Sequence, residues 1–219
     1  MLSRSALLLG LASAVLIGLS TSLLLREISA QRVLLMAGRD PAAAVRIAPL
    51  VEEGPVALRT LRLSLEACLR GVLDWRVPLL PPDRLAGVLD GCERLSAAAL
   101  MRAPALSEAM ILSAAVSARR ADPIGAGTDL ERSRVAFPRD LWSAEARVRV
   151  AALLPDPGGA GVDPDLDLLV SHGRGRPVLA ALYRDRPVLR GPILEAVRRA
   201  DPVEASRALN LIETEEVTP

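Results

Sequence analysis

Apolar residues follow two patterns along this chain: one long uncharged run near the N-terminus, then a repeated spacing of three or four residues. Residues 6–25 contain no charged side chain. A helix of this length, at about 1.5 Å rise per residue, spans the roughly 30 Å hydrocarbon core of a bilayer. We therefore predict an N-terminal transmembrane anchor. Its large apolar residues are Leu7, Leu8, Leu9, Leu11, Val15, Leu16, Ile17, Leu19, Leu23, Leu24 and Leu25.

The alternative to an uncleaved anchor is a cleaved signal peptide. A signal peptide has an apolar stretch of roughly 7 to 15 residues before a small-x-small cleavage site, and this run is longer. Of the two small-residue sites, residues 12–14 lie deep inside the run, and residues 29–30 follow the charged Arg26 and Glu27. The length favours an anchor, although the sequence leaves both alternatives open.

The charges that flank the run bear on orientation. Arg4 and the terminal amine precede it, whereas Arg26, Arg32 and Arg39 follow it, and this count mildly favours a cytoplasmic body. A long domain translocates largely regardless of charge, however, and a short tail before an apolar run is the usual layout of a signal anchor. We predict a single-pass protein of the inner (cytoplasmic) membrane with a periplasmic body.

Beyond the anchor, the apolar spacing predicts helices and shows no sustained alternation of period two. Aromatic residues are only 2% of the chain, so the core must consist of Leu, Val and Ala. Recurrent Asp-Pro pairs and glycines are typical helix boundaries. We predict helices at residues 41–50, 55–74, 83–102, 105–120, 124–136, 139–154, 164–171, 177–184, 187–200 and 202–212.

These elements predict an all-α fold. The parts are a transmembrane anchor with a helical extension (1–38), antiparallel helical hairpins (39–154), a Pro- and Gly-rich linker (155–163), a C-terminal subunit of short helices (164–212) and a disordered polar tail (213–219).

Two prolines, Pro104 and Pro138, end helical segments 34 residues apart, which is the period of tetratricopeptide repeats. With Pro138 as the closing proline, Ala126, Leu130 and Ser133 occupy small, large apolar and small positions of a second helix. The preceding unit places Cys92, Ala99 and Pro104 in corresponding positions. About half of the chain thus resembles degenerate tetratricopeptide repeats. The alternative is a helical bundle without repeats.

This resemblance implies a short right-handed stack of helical hairpins whose concave face binds a peptide or protein segment, and it implies no catalysis. The layout is also similar to that of small membrane-anchored bacterial repeat proteins, some of which accompany cell-envelope polysaccharide machinery.

The residues that could carry chemistry have simpler interpretations. His172 lies in a turn-like segment without a local nucleophile or orienting acid. Arg174 and Arg176 fit a solvated basic loop better than an anion site. Asp163, Asp165 and Asp167 alternate as in a calcium loop, but Leu168 replaces its required glycine. Helix capping by Asp163 and a helix-dipole interaction of Asp165 explain these acids.

The remaining polar and aromatic residues are expected to support the fold. Arg147 and several other arginines are expected on solvated helix faces. Trp75 and Trp142 near helix ends are expected to fill the packing of hairpins, and a binding role is the minority interpretation. Cys68 and Cys92 lie in apolar stripes and favour burial as small hydrophobic residues, although a periplasmic body would allow them to pair.

The sequence thus predicts a membrane-anchored scaffold or adaptor that mediates protein–protein interaction at the bacterial cell envelope. The alternative is an accessory subunit whose transmembrane helix packs into a larger membrane complex. A membrane-tethered enzyme using His172 is the least favoured hypothesis. Since positive and negative charges nearly cancel, with a net charge of +1, we expect no nucleic-acid partner. We expect no cofactor, metal or small-molecule substrate, and the sequence does not identify the protein partner.

Overall fold

The uncharged N-terminal run lies within one continuous helix, α1 (Arg4–Ala37), in the computed structural model, which describes residues 4–37, 46–52 and 56–217. A stretch of 21 residues in this helix, Ser13–Val33, has a mean hydropathy of 1.3, and only 6% of it is buried. Its exposed side chains include Val15, Leu16 and Ile17. By length and composition, α1 can serve as a membrane span or as a signal sequence.

The rest of the described chain is also helical. The elements after α1 are α2 (Ile47–Glu52), α3 (Leu58–Leu73), α4 (Pro82–Arg102), α5 (Ser107–Arg119), α6 (Pro123–Ala136), α7 (Leu141–Ala151), α8 (Asp163–Ser171), α9 (Gly175–Asp185), α10 (Arg190–Arg199) and α11 (Pro202–Val217). Short 3-10 turns, Val77–Leu79 and Pro187–Leu189, precede α4 and α10. No strand occurs in the described ranges, as the apolar spacing predicts.

The helix boundaries differ modestly from those predicted. The first predicted helix, residues 41–50, is observed only as α2, and its residues 41–45 lie outside the described residues. Helix α11 continues to Val217 and thus includes most of the predicted tail, whose last two residues are not described. Residues 38–40 of the predicted extension and hairpin region also lie outside the described part.

Aspartate side chains cap the N-termini of two helices, as the Asp-rich boundaries in the sequence indicate. Asp122 accepts a 3.0 Å hydrogen bond from the Gly125 N–H at the start of α6. Asp140 accepts one of 2.8 Å from the Ser143 N–H at the start of α7. Such caps satisfy backbone donors that have no partner within the helix. The expectation that Asp163 caps a helix is wrong, because α8 begins at Asp163 itself without a side-chain cap.

Alternate helices contact one another in chain order. Helix α1 contacts α3, α3 contacts α5, α5 contacts α7, α7 contacts α9, and α9 contacts α11. Each of the helices α3, α5, α7 and α9 also contacts the helix that follows it, and α2 contacts α4 on the other side. One continuous cluster of buried apolar residues, from Ala48 to Ile212, runs through these helices.

The two cysteines pair within the first hairpin of the body. Cys68 of α3 and Cys92 of α4 form a disulfide with a sulfur–sulfur distance of 1.99 Å and a Cα–Cα distance of 5.8 Å. Both residues are fully buried. The sequence favoured unpaired, buried cysteines over a disulfide, and the structure contains the disulfide. The bond fixes α3 against α4.

The C-terminal part of α1 belongs to the folded body. The Ala57 N–H donates a 3.1 Å hydrogen bond to Glu27 Oε2, and the Thr60 hydroxyl donates to Glu27 Oε1. Glu27 therefore supplies the N-terminal cap that α3 lacks in its own sequence. One turn further along α1, Ala30 is fully buried, and Val33 packs against the core.

A buried polar cluster joins α5, α6, α7 and α8. The expectation that Arg147 lies on a solvated face is wrong: its guanidinium is enclosed and pairs with Asp165 at 2.6 Å. Asp165, which we expected to act only through the helix dipole, also pairs with Arg134 at 3.0 Å. Ser107 lies between Ser133 and Ser143, at oxygen–oxygen distances of 2.8 and 3.0 Å. Every charged group in the cluster thus has a partner, as burial requires.

Candidate binding groove

An open groove lies on the layer formed by α3, α7 and α9. Its volume is about 530 Å³, and a neighbouring pocket of about 280 Å³ shares Trp75, Arg149 and Arg186 with it. We call this surface the tryptophan groove. Its lining residues are Glu66, Leu69, Arg70, Leu73, Asp74, Trp75, Trp142, Glu145, Ala146, Arg149 and Arg186. Helices α3 and α7, the turn after α3 and the residue that follows α9 thus contribute to one surface.

Both tryptophans of the chain line this groove. The Trp75 side chain is 71% exposed and Trp142 is 37% exposed. The expectation that they fill the packing of hairpins is therefore wrong for Trp75 and only partly met for Trp142. A tryptophan left in water forgoes a large hydrophobic gain, and such residues are enriched where proteins bind partners. The pair gives the groove an apolar wall.

The segment that carries Trp75 is held from both sides. Asp74 accepts hydrogen bonds from Arg76 Nε at 3.0 Å and Arg76 Nη2 at 2.7 Å, and one from the Arg76 N–H at 2.8 Å. These hydrogen bonds lower the pKa of Asp74 to about 2. Arg119 of α5 donates to the carbonyl oxygens of Val72 at 2.9 Å and Asp74 at 3.3 Å. Trp75 therefore projects from a fixed turn.

The groove contains more cationic than anionic groups without a close partner. Arg149 pairs with Glu145 at 2.9 Å within α7. Arg70 and Arg186 form no side-chain hydrogen bond or ion pair with any described residue. Among the acids that line the groove, only Glu66 likewise has no such partner among the described residues. Guanidinium groups next to exposed indoles can receive carboxylates and carbonyl groups of a bound chain.

The predicted repeat positions lie outside this surface. Ala126, Leu130 and Ser133 of α6 are fully buried, as are Cys92 and Ala99 of α4. Pro104 and Pro138 are exposed, in the turns that connect α4 to α5 and α6 to α7. These residues therefore shape the hairpins and do not line the groove.

His172 lies in an exposed turn that contacts neighbouring helices. Nδ1 of His172 accepts a 3.2 Å hydrogen bond from the Arg174 N–H in an exposed turn. Gly175 approaches the backbone of Leu169 so closely that a Cβ would lie 2.4 Å from its carbonyl oxygen, which explains the glycine. Arg176 Nη2 lies 2.9 Å from Glu204 Oε2 of α11. The turn thus joins α8, α9 and α11.

The three alternating aspartates do not converge. Asp163 and Asp167 both pair with Arg199, at 3.2 and 2.8 Å, whereas Asp165 points into the core toward Arg147. Among the described residues, no group of three or more His, Cys, Asp or Glu side chains is arranged to hold a metal ion.

Sequence reasoning did not predict the tryptophan groove. The members of the groove are separated by up to 120 positions, from Glu66 to Arg186, and only the order of helix contacts brings them together. The available signal was the placement of both tryptophans near helix ends in a chain otherwise poor in aromatic residues. No protein-family model matches this chain, and neither does any curated protein or any solved structure.

Proposed function

We propose that this protein is a membrane-anchored helical-repeat scaffold that presents the tryptophan groove to a protein partner. The observation that carries the proposal is the convergence of Trp75 and Trp142 with the unpaired Arg70 and Arg186 on one open surface. Exposed aromatic and arginine side chains around a groove are the composition of an interaction hot spot. Most acids in the groove already pair with arginines, so the groups left unpaired are mainly cationic and can bind a partner.

The helical-repeat part of the proposal is supported by the order of helix contacts. In a stack of helical hairpins, the first helices of successive hairpins contact one another, and each contacts its own second helix. The succession α3, α5, α7 and α9 follows this order, and the groove lies on that layer. Pro104 and Pro138, 34 residues apart, occupy equivalent turns after α4 and α6.

Membrane anchoring is supported by the two different surroundings of α1. Its residues 13–25 are exposed and mostly apolar, whereas Glu27 and Ala30 form contacts with the body. Cleavage at residues 29–30 would remove Glu27, the cap of α3, so the contacts favour a retained helix. The disulfide between Cys68 and Cys92 favours a body on the oxidising, periplasmic side of a bacterial inner membrane.

A co-purification experiment tests the groove. Full-length protein is isolated from detergent-solubilised native membranes, and the proteins that accompany it are compared with those of a variant carrying Trp75→Ala and Trp142→Ala. The matched control is Ile124→Ala, which removes an 82% exposed side chain of α6 outside the groove. Truncation of a hot-spot residue costs about 2 kcal/mol or more, so a specific partner should fall by at least about tenfold.

Retention of the same partner by the groove variant would contradict the proposal. A partner that is retained there but lost from a Gly18→Leu variant would assign the interaction to α1, as expected for an accessory subunit of a larger complex. A Cβ added at Gly18 meets nothing within 4 Å in this protein, so we expect the substitution to leave the fold intact.

A further inference from the structure

The contact between α1 and α3 fixes how far the body lies from the end of the apolar run, measured along the axis of α1. Glu27, which binds the Ala57 N–H at 3.1 Å, follows Leu25 by two residues. Two residues of an α-helix correspond to about 3 Å along its axis. If residues 6–25 occupy the hydrocarbon, the N-terminus of α3 therefore lies at the bilayer surface.

Hydropathy alone also admits a span at Ser13–Val33, which would place this contact inside the bilayer. The surroundings of α1 favour a membrane span that ends at Leu25 over one that ends at Val33. Ala30 is fully buried and Val33 packs against the body, so protein covers one face of this part of the helix. Glu27 is hydrogen-bonded to α3 at the same level. Because the body packs on α1 from Glu27 onward, we take the membrane-spanning part to end at Leu25.

Apolar and cationic side chains at this junction have no partner among the residues that the structure describes. Leu58, the first residue of α3, is 54% exposed. Arg26, Arg32 and Arg59 form no hydrogen bond or ion pair through their side chains with any described residue. The next arginine along α3 differs, since Arg62 pairs with Glu108 at 3.2 Å. Among the described residues, the acid at this junction is Glu27, and it is already engaged as a cap.

We propose that the first turn of α3, together with Arg26, forms a docking surface for anionic phospholipid headgroups of the membrane that α1 crosses. Leu58 inserts among the headgroups, while Arg26 and Arg59 bind lipid phosphates and Arg32 adds positive charge further from the hydrocarbon. Amphipathic segments with exposed Leu and Arg bind anionic interfaces in this way, and their affinity depends on lipid charge.

This inference rests on the membrane anchoring proposed above, and it adds that the body lies directly at the membrane surface. Glu27 connects the docking surface to the end of the transmembrane segment through two hydrogen bonds. The body is thereby held against the membrane surface, so the partner of the tryptophan groove must be reachable from the headgroup region.

Fluorescence quenching in vesicles tests the docking surface. The chain has two cysteines, and both are in the disulfide, so a Leu58→Cys variant offers one free thiol for an environment-sensitive fluorophore. The control carries the same fluorophore at Ile124→Cys, on α6. Full-length protein is reconstituted into phosphatidylcholine vesicles with or without phosphatidylglycerol, and a headgroup nitroxide lipid serves as the quencher.

We expect the label at position 58 to be blue-shifted and at least twofold more quenched than the label at position 124, with stronger quenching in the anionic vesicles. Arg26→Gln with Arg59→Gln should remove the difference between the two lipid compositions. Equal quenching at positions 58 and 124, or no dependence on lipid charge, would overturn the inference while leaving the anchor intact. Failure of the protein to float with the vesicles would instead overturn the anchor itself.

Discussion

Arg147 and Asp165 form an ion pair that is enclosed by protein on all sides. Arg147 Nη2 lies 2.6 Å from Asp165 Oδ1 and Nε lies 2.9 Å from the same oxygen, and each residue is only 1% exposed. The pair connects α7 to α8 across the Pro- and Gly-rich segment that we predicted as a linker. The two parts of the body are therefore joined by more than apolar packing.

Removing one member of this pair should be costly because the other remains charged and enclosed. We expect Arg147→Ala or Asp165→Ala to lower the free energy of unfolding by about 3–5 kcal/mol. Replacing both with Arg147→Met and Asp165→Leu should cost less than the sum of the two single changes, since no unpaired charge is left at this contact. Urea unfolding in detergent, followed by helical circular dichroism, gives these values.

The control for that series is Arg198→Ala, which breaks an exposed ion pair with Glu195 within α10. Exposed pairs of this kind contribute little, so the change should stay below about 1 kcal/mol. Equal losses for Arg147→Ala and Arg198→Ala would show that the buried pair is not formed.

The disulfide should stabilise the first hairpin of the body. Because Cys68 and Cys92 are 24 residues apart, replacing both with Ser should lower the free energy of unfolding by about 2–4 kcal/mol. Alkylation of the denatured, non-reduced protein isolated from cells should label no thiol. Two labelled thiols would mean that the bond does not form in the cell, and would remove its support for a periplasmic body.

The close contact of α5 and α6 should tolerate no larger residue at Ala126. This residue is fully buried, and we expect Ala126→Leu to cost about 1–3 kcal/mol of stability through overpacking. Its neighbour Gly127 is the control, because an added Cβ there meets nothing within 4 Å. Gly127→Ala should therefore stabilise α6 by about 0.5–1 kcal/mol. Thermal unfolding of the three proteins compares them directly, and similar midpoints would contradict the packing described.

The cap that Glu27 supplies should be measurable at a single amide. Glu27→Ala should lower stability by about 0.5–2 kcal/mol, as for other N-terminal caps, and should speed hydrogen exchange of the Ala57 N–H. Glu27→Gln retains an acceptor and should have the smaller effect. Unchanged exchange at Ala57 in the alanine variant would show that α1 does not cap α3.

The sequence predicted the helices well because their signals are local. Apolar spacing, Asp-Pro boundaries and glycines lie within a few residues of the structure that they determine. The groove and the buried cluster depend on contacts between distant helices, which no local pattern encodes. Arg147 illustrates this: its spacing along α7 is that of any exposed arginine, and only the position of Asp165 on the next helix makes it a core residue.

Photo-crosslinking in intact membranes tests the central claim most directly. A benzophenone amino acid replaces Trp142 in the groove or, as the control, Ile124 on α6. We expect a discrete crosslinked partner from position 142 that is absent from position 124. No adduct at position 142, or the same adducts from both positions, would contradict the assignment of the tryptophan groove as the partner-binding surface.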